Sequence, residues 1–214
     1  MSSNKKTIIV DLLRHGQPEG GDVLRGRIDH PLSETGWQQM KSVTALQEEF
    51  PFDESGPVWT DLITSPLQRC RQFAEFVSQQ TELTLAIDEA WQEIDYGKWD
   101  GMLLSDWRKE AAYQFREFRK DLSKLAPPEG EDYLSFKDRI LGAWDAIAAK
   151  PDGSHVLLVT HGGVMRVVLP TVLGMPLNRS FPLHIPFACL SRISLVVDDD
   201  KVSASLLSHN ATIK

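Results

Sequence analysis

Apolar residues occur along this chain in two spacings, and the two spacings alternate. Short, nearly continuous apolar runs predict buried strands at residues 8–13, 58–64, 84–87 and 156–160. Two further runs, at residues 192–197 and 202–207, are separated by Asp198-Asp199-Asp200-Lys201, which predicts a turn between two antiparallel strands.

Between these runs, apolar residues three or four positions apart predict amphipathic helices. Ser33 is expected to cap a helix that continues to Phe50, and Ser65-Pro66 to begin a helix that ends near residue 80. Later helices are expected at residues 105–125, 136–147 and 164–173. Alternating strands and helices predict an α/β fold with three layers, in which a mainly parallel central sheet has helices on both faces and an antiparallel edge from the last hairpin.

The composition limits the class of protein. With 214 residues, 42% of them hydrophobic, the chain can bury one sizeable core, so we expect a single domain over residues 1–214. The net charge of −7, without a stripe of lysine and arginine, argues against a nucleic-acid-binding protein. The polar start of the chain and the charges at Asp11 and Arg14 argue against a signal peptide or a membrane span there.

The two cysteines point to a reducing compartment. Cys70 and Cys189 lie in different contexts and form no C-x-x-C pair, which gives no support to a structural zinc site. We expect two buried free thiols in a cytoplasmic protein.

A histidine directly follows each of two predicted strands. The first strand ends in Arg14-His15-Gly16, and the strand at residues 156–160 ends in His161-Gly162-Gly163. If both strands are parallel, both histidines emerge at the sheet edge where open α/β sheets bind ligands. Arginine offers phosphate a planar charged fork, and histidine can be a nucleophile near neutral pH. The pair favours a phosphoryl-transfer site, although either motif taken alone is also typical of a solvated loop.

Two more residues fit such a site. Arg69 lies in the first turns of a predicted helix, where free N–H groups and the helix dipole favour an anion. Glu93 lies in a loop of acids, aromatic residues and glycines, where a carboxyl group held against apolar rings can act as a general acid. The alternatives are an ordinary surface arginine and an exposed loop carboxylate.

Together these residues resemble the histidine phosphatase superfamily, which includes cofactor-dependent phosphoglycerate mutase. The matching blocks occur in the family's order and extend over most of the chain. They are Arg14-His15-Gly16, residues 26–36, Ser65-Pro66-Leu67-Gln68-Arg69, Glu93 with Gly97-x-Trp99-x-Gly101, and Thr160-His161-Gly162-Gly163. The resemblance implies a single histidine phosphatase domain with a phosphoglycerate mutase-like fold and a helical cap at about residues 100–130.

The resemblance also implies a role for each matching residue. His15 matches the nucleophile that becomes a phosphohistidine, and Glu93 matches the acid that protonates the leaving group. Arg14, Arg69 and His161 match the positions that hold the phosphoryl oxygens. Such a set implies no metal and no cofactor, because the arginines supply the positive charge that magnesium supplies in other phosphoryl-transfer enzymes.

One departure from the family concerns the loop after the first R-H-G block. Many members carry E-T and then an asparagine that contacts the phosphate, whereas this chain has Gln17-Pro18-Glu19-Gly20-Gly21-Asp22. Gln17, Arg27 and Gly162 are candidates for binding the substrate, and Arg25 is an alternative to Arg27 for the missing contact. The remaining histidines match no catalytic position and are expected to be structural or solvated: His30, His155, His184 and His209.

The function implied by the resemblance is a metal-independent phosphomonoesterase that acts on a small phosphorylated metabolite through a phosphohistidine. The chain length and the compact block 93–101 are most similar to α-ribazole 5′-phosphate phosphatases of cobalamin synthesis. One alternative is a phosphoglycerate mutase, although family mutases generally carry a longer insertion near the site. The other is a catalytically silent binding module. We expect a small-molecule phosphate ester as partner, with no nucleic acid and no membrane, and the sequence leaves the oligomeric state open.

Overall fold

A computed structural model describes residues 5–46, 59–199 and 201–213 and has a six-stranded sheet at its centre. The strands are β1 (Lys6–Arg14), β2 (Asp61–Thr64), β3 (Leu85–Ile87), β4 (His155–Thr160), β5 (Leu190–Asp198) and β6 (Lys201–His209). Their order across the sheet is β3-β2-β4-β1-β5-β6. The α-helices are α1 (Glu34–Thr44), α2 (Gln68–Thr81), α3 (Leu104–Glu110), α4 (Ala112–Phe118), α5 (Tyr133–Ile147) and α6 (Gly162–Val172).

The pairing of the strands brings two turns, Arg14-His15-Gly16 and His161-Gly162-Gly163, to the same edge of the sheet. Strand β4 lies between β1 and β2 and is parallel to both, with Arg14 opposite Thr160 in the register of β1 and β4. Strand β5 pairs with β1 in the antiparallel direction, and β6 pairs with β5 in the same way. The predicted mainly parallel sheet with an antiparallel edge is therefore confirmed, and His15 and His161 leave the sheet side by side.

The helices cover both faces of the sheet. Along β1 the buried side chains alternate, because successive residues of a strand point to opposite faces. Leu12 packs in a hydrophobic cluster with residues of α5 and α6, whereas Leu13 packs in a second cluster with residues of α1 and α2. The predicted three-layer α/β fold is confirmed.

Two predicted helices differ from those observed. Helix α1 is capped by Ser33 as predicted, but it ends at Thr44, where Ala45 adopts a left-handed conformation with φ 56°. The predicted end at Phe50 lies outside the described residues, as does Val58 at the predicted start of the second strand. The single helix predicted for residues 105–125 is instead α3 and α4, which meet at the buried Ala111, followed by a 3₁₀ turn at Leu122–Lys124.

Two glycines fix the loop after β1 against the start of α1. A Cβ atom on Gly16 would lie 2.2 Å from the carbonyl oxygen of Gly36, and a Cβ atom on Gly36 would lie 2.1 Å from the carbonyl oxygen of Gln17. The two backbones therefore approach more closely than any side chain would permit. The loop that carries His15 is held in place by this contact.

A buried carboxylate lies in the middle of β1. Asp11 Oδ1 accepts a hydrogen bond from Arg192 Nε at 2.7 Å. Its Oδ2 accepts hydrogen bonds at 2.9 Å from Arg192 Nη2, His155 Nε2 and Trp59 Nε1. Burial alone would raise the pKa of Asp11, but the hydrogen bonds from these three side chains lower it to about 2. We call these four residues the Asp11 cluster.

Two further expectations concern the cysteines and the membrane. Cys70 and Cys189 are buried and free, as predicted. Among the described residues, no helix has the length and the apolar character required to span a bilayer.

Candidate active site

A cavity of about 540 Å³ opens at the carboxyl edge of the sheet. Arg14 and His15 line it from the end of β1, Glu93 lines it from the loop before α3, and Gly162 and Gly163 line it from the start of α6. The site thus lies where ligands bind in open α/β sheets.

His15 is held as a neutral imidazole with one nitrogen free. Its side chain is only 5% exposed, and Nδ1 lies 2.7 Å from the carbonyl oxygen of Gly16. A carbonyl oxygen can only accept, so Nδ1 carries the hydrogen and Nε2 carries the lone pair. Burial lowers the pKa of His15 well below its usual value, and the charges of Arg69 and Arg14 lower it further. The arrangement leaves Nε2 available as a nucleophile at neutral pH.

Arg14 is a partly buried cation with unused hydrogen-bonding capacity. Its Nη1 donates to the carbonyl oxygen of Ile185 at 2.7 Å, and its guanidinium lies 4.3 Å from the ring centroid of Phe187. Burial lowers the pKa of Arg14 to about 10, against the opposing effect of Glu93, so the group is charged at neutral pH. Its buried Nε has no partner among the described residues.

Arg69, the second residue of α2, also has an N–H donor without a hydrogen-bond partner among the described residues. It is fully buried, and its Nη1 and Nη2 donate to the carbonyl oxygens of Ile28 and Gly26 at 2.9 and 2.7 Å. Its Nε also has no partner within the described chain. Buried polar groups are normally satisfied, so two neighbouring guanidinium groups with spare N–H donors indicate a place for an anion. Arg69 does not line the open cavity but acts on His15 through its charge.

His161 lies beside His15, with their ring centroids 5.3 Å apart. It is fully buried, and its Nε2 lies 2.7 Å from the hydroxyl oxygen of Ser65. Burial lowers the pKa of His161 well below its usual value, with Arg69 as the next cause. The prediction that Ser65 caps α2 is wrong: the helix begins at Gln68 after Leu67, and the serine hydroxyl contacts His161 instead.

Glu93 is bound to the amino terminus of α6. Its side chain is 7% exposed, with Oε2 accepting from the backbone N–H of Gly163 at 2.9 Å and Oε1 accepting from that of Ile94 at 3.0 Å. A Cβ atom on Gly163 would lie 2.0 Å from Oε1, so the carboxyl group occupies the space that any side chain there would fill. The N–H groups and dipole of the helix start orient this acid toward the cavity that His15 also lines.

The cavity contains most, but not all, of the residues that the sequence singled out. Arg14, His15, Gln17, Glu93 and Gly162 line it, whereas Arg69 and His161 lie in the buried layer beside His15. Gly162 leaves room for the arginine of β1, because a Cβ atom there would lie 3.2 Å from Arg14 Nε.

Arg27 does not line the cavity, contrary to the expectation that it binds substrate. The carboxylate of Asp100 accepts hydrogen bonds from the backbone N–H groups of Gly26, Arg27 and Ile28 at 2.7 to 2.8 Å, which fixes this loop. Arg25, the alternative, does line the cavity, but its guanidinium is held by carbonyl oxygens of its own loop.

Sequence reasoning missed Arg166 and the aromatic lining of the cavity. Arg166 is one helical turn after Gly162, so the spacing along α6 is the signal that could have found it. The rings come from α3, α4, α5 and two loops, and no local pattern joins them. They are Tyr96, Trp107, Phe115, Phe118, Tyr133, Phe136, Phe181 and Phe187.

Comparison with known proteins agrees with this geometry. Residues 10–209 match the family model of the histidine phosphatase superfamily, branch 1. A bifunctional protein of Mycobacterium tuberculosis is 28% identical over 189 residues, which are 87% of this chain and 50% of that protein, so the chain spans half the length of this relative. A protein of Shigella boydii named a probable phosphoglycerate mutase is 27% identical over 186 residues, covering 86% of this chain and 83% of the relative.

Solved structures share the fold over nearly the whole chain. The α-ribazole phosphatase from Shigella flexneri superposes with a TM-score of 0.72 at 19% identity, covering 96% of this chain and 98% of that one. A mycobacterial glucosyl-3-phosphoglycerate phosphatase in complex with VO3 superposes with a TM-score of 0.75 at 24% identity, covering 97% and 100%. The phosphoglycerate mutase-like fold expected from the sequence is confirmed.

Proposed function

The chain belongs to the histidine phosphatase superfamily, branch 1. From this we propose that it is a phosphatase that hydrolyses small phosphate monoesters, without a metal, through a phosphohistidine on His15. The observation that carries the proposal is the state of His15, whose Nδ1 is bonded to the Gly16 carbonyl and whose pKa lies well below its usual value. A nucleophile must be unprotonated, and these contacts keep Nε2 unprotonated at neutral pH.

In the first proposed step, Nε2 of His15 attacks the phosphorus atom and the bond from phosphorus to the ester oxygen breaks. Glu93, protonated at the start, gives its proton to the departing oxygen, so the alcohol leaves neutral. The spare N–H donors of Arg14 and Arg69 and the ring of His161 bind the phosphoryl oxygens, where negative charge concentrates in the transition state.

In the second step, water attacks the phosphorus atom of the phosphohistidine. Glu93, now a carboxylate, takes a proton from that water, and the bond from phosphorus to Nε2 breaks. Inorganic phosphate leaves, and His15 and Glu93 return to their starting protonation states. Binding of the carboxyl group to the helix start supports this double use, because it keeps one acid in place through both steps.

As substrate we propose α-ribazole 5′-phosphate, an intermediate of cobalamin synthesis whose alcohol is a ribose joined to an aromatic dimethylbenzimidazole. The aromatic lining of the cavity supports an aromatic alcohol. We also propose that α3 and α4 form a cap, since Trp107, Phe115 and Phe118 contribute to that lining. A cytoplasmic location is supported by the two free cysteines.

The test is hydrolysis of p-nitrophenyl phosphate and α-ribazole 5′-phosphate with and without a chelator, together with acid-labile phosphoenzyme trapped by rapid quenching. We expect turnover that the chelator does not change, and His15→Ala is expected to lower kcat by about 10⁴-fold or more and to abolish the trapped phosphate. His184→Ala is the control, because this exposed side chain does not line the cavity.

Other results would contradict specific parts of the proposal. Sensitivity to the chelator would contradict the metal-free mechanism, and near-normal rates in His15→Ala would contradict the nucleophile. Isomerisation of phosphoglycerate without phosphate release would favour a mutase, the function in the name of the Shigella boydii relative. No turnover of any ester would favour a binding module.

A further inference from the structure

The guanidinium group of Arg166 is hydrogen-bonded on one side only. The residue lies on α6 and lines the cavity, and its Nη1 donates to the carbonyl oxygens of Ser180 at 2.8 Å and Leu183 at 3.3 Å. Its Nε and Nη2 make no hydrogen bond or ion pair with any described residue. Neither atom is among the fully buried, unpartnered polar atoms of the described residues, so both remain accessible.

The free side is the edge of a guanidinium that presents two parallel N–H groups. Nε–H and one Nη2–H of an arginine match two neighbouring acceptor oxygens, which is why arginine binds carboxylates in a bidentate manner. Because the opposite side is fixed by two backbone carbonyls, the free edge has a set direction and loses little entropy when it binds. Burial lowers the pKa of Arg166 and Glu93 opposes that effect, so the group faces the cavity as a cation.

The surroundings of Arg166 are aromatic. Its guanidinium lies 5.7 Å from the ring centroid of Phe181. That ring lies 6.0 Å from both Phe115 and Phe118, and Phe115 lies 5.0 Å from Trp107. Such walls fit a flat ring system, and a cation among them calls for an acceptor on that same molecule.

The other arginines of the lining are already committed. Arg14 belongs to the proposed phosphate pocket. Arg25 donates to the carbonyl oxygens of Glu19, Gly21 and Val23 and to His30. Within the described chain, Arg166 is therefore the lining arginine that is available to the alcohol part of a substrate.

We propose that Arg166 is a specificity-determining residue that binds a pair of neighbouring oxygens on the alcohol part of the substrate. The substrate class is then a phosphate monoester of an aromatic alcohol that carries either a carboxylate or a vicinal diol, such as the 2′,3′-diol of a nucleoside. This inference rests on the proposed function, because the phosphate group and the alcohol occupy one continuous cavity. It adds a second recognition point beyond the phosphate.

Two substrate pairs test it, and each pair differs only in the acceptor oxygens. The first compares phenyl phosphate with 4-carboxyphenyl phosphate. The second compares 2′,3′-dideoxyadenosine 5′-monophosphate with adenosine 5′-monophosphate. We expect the wild type to prefer the acceptor-bearing member of at least one pair. In Arg166→Gln the kcat/KM ratio within that pair is expected to fall about 10- to 100-fold, the value of a charge-assisted hydrogen-bond pair. Arg166→Lys, which keeps the charge but loses the fork, should give an intermediate ratio.

Arg119→Gln is the matched control. Its guanidinium lies 5.5 Å from the centroid of the Phe181 ring, slightly nearer than the 5.7 Å of Arg166, but Arg119 does not line the cavity. An equal fall of the kcat/KM ratio in Arg166→Gln and Arg119→Gln would show that packing on Phe181 causes the substrate preference, and it would overturn the proposal.

The remaining outcomes are also decisive. No preference in either pair, or an equal loss in Arg166→Gln on both members of a pair, would reduce Arg166 to an anchor of the loop 180–183 and overturn the inference. A ratio that falls in one pair alone identifies carboxylate or diol as the group recognised. If phenyl phosphate is hydrolysed without these effects, the inference fails while the proposed function stands. If no ester is hydrolysed, the proposed function fails and takes the inference with it.

Discussion

Two groups of charged side chains are centred on β1, one at Asp11 and one at Arg14, and they differ in how many of their polar atoms are hydrogen-bonded. In the Asp11 cluster, both carboxylate oxygens are bonded, and Arg192 binds them with two nitrogens. Three residues further along β1, Arg14 has a buried Nε without a partner in the described chain, and the neighbouring Arg69 has another. Burial lowers the pKa of His15. At Asp11 burial is also the largest single effect and raises the pKa, but the hydrogen bonds from Arg192, His155 and Trp59 together outweigh it.

The difference separates a structural site from a ligand site. A buried charge with a complete set of partners holds its surroundings in one arrangement, and removing one partner is costly. A buried cation with spare donors lowers the stability of the folded protein unless an anion binds there. We infer that the Asp11 cluster serves the fold and that the cluster around His15 is kept for its ligand.

The largest expected effect tests the ligand site. Arg14→Met should lower kcat/KM for phosphate esters by about 10³- to 10⁵-fold, because it removes a charge from the transferring phosphoryl group. The free energy of unfolding should stay the same or rise, since a desolvated cation is replaced by an apolar chain. Steady-state kinetics and urea denaturation measure the two quantities. Arg71→Met is the control for both, because this arginine also has a buried Nε without a hydrogen bond but is half exposed, pairs with Glu75 at 3.6 Å and does not line the cavity. A large loss of stability in Arg14→Met would show that Arg14 stabilises the fold and would contradict its assignment to a ligand site.

The next effect tests the structural site. Asp11→Asn should lower the free energy of unfolding by about 1–3 kcal/mol, because the amide cannot accept all the hydrogen bonds that Arg192, His155 and Trp59 donate to the fully buried carboxylate. Activity of the folded fraction should change little. Asp61→Asn is the matched control, since Asp61 pairs with Lys150 at a side-chain exposure of 26% for each and should lose only about 1 kcal/mol or less. Equal losses of unfolding free energy in the two variants would show that the Asp11 cluster stabilises the fold no more than a half-buried ion pair does.

The smallest effect concerns pH. The folded pKa of His15 lies below the unfolded value of 6.5, so its full contribution to stability is present above pH 6.5 and is lost as the pH falls. Between pH 6.5 and 5.5 each such histidine should cost about 1 kcal/mol, because only the unfolded chain takes up the proton. His15→Asn should therefore lose about 1 kcal/mol less than the wild type over this interval, measured by denaturation at both values. Asp11, with a pKa of about 2, is ionised in the folded and the unfolded protein over this interval, so its contribution to stability does not change there. Identical losses in the two proteins would show that His15 is not held neutral.

Much of the fold could be predicted because its signals are local. Continuous apolar runs and helical spacing located the strands and most helices, and Ser33 was identified as a cap. The break at Ala111 was not visible, since nothing in the sequence there differs from a good helix. Ser65 was misassigned because serine before proline is typical of a helix start, and only the packed structure shows the nearby imidazole of His161.

The candidate site was predictable where its residues follow strands directly. His15 and His161 needed only the assumption of parallel strands to be placed together, and β1 and β4 provide that pairing. The direction of a long side chain in a loop cannot be derived from sequence, and for that reason Arg27 was expected in a cavity that it does not line. Arg166 was missed because its importance depends on which of its nitrogens remain free after folding.

Gly163 matters because it has no side chain. At most positions, replacement by alanine measures what a side chain contributes, but here it would add one carbon atom within 2.0 Å of a carboxylate oxygen of Glu93. The missing side chain at the start of α6, which leaves this space to the Glu93 carboxyl group, therefore matters as much to the proposed catalytic site as the charged groups around it. Anyone who redesigns this scaffold for a new substrate can exchange the aromatic walls of the cavity but must keep glycine at position 163.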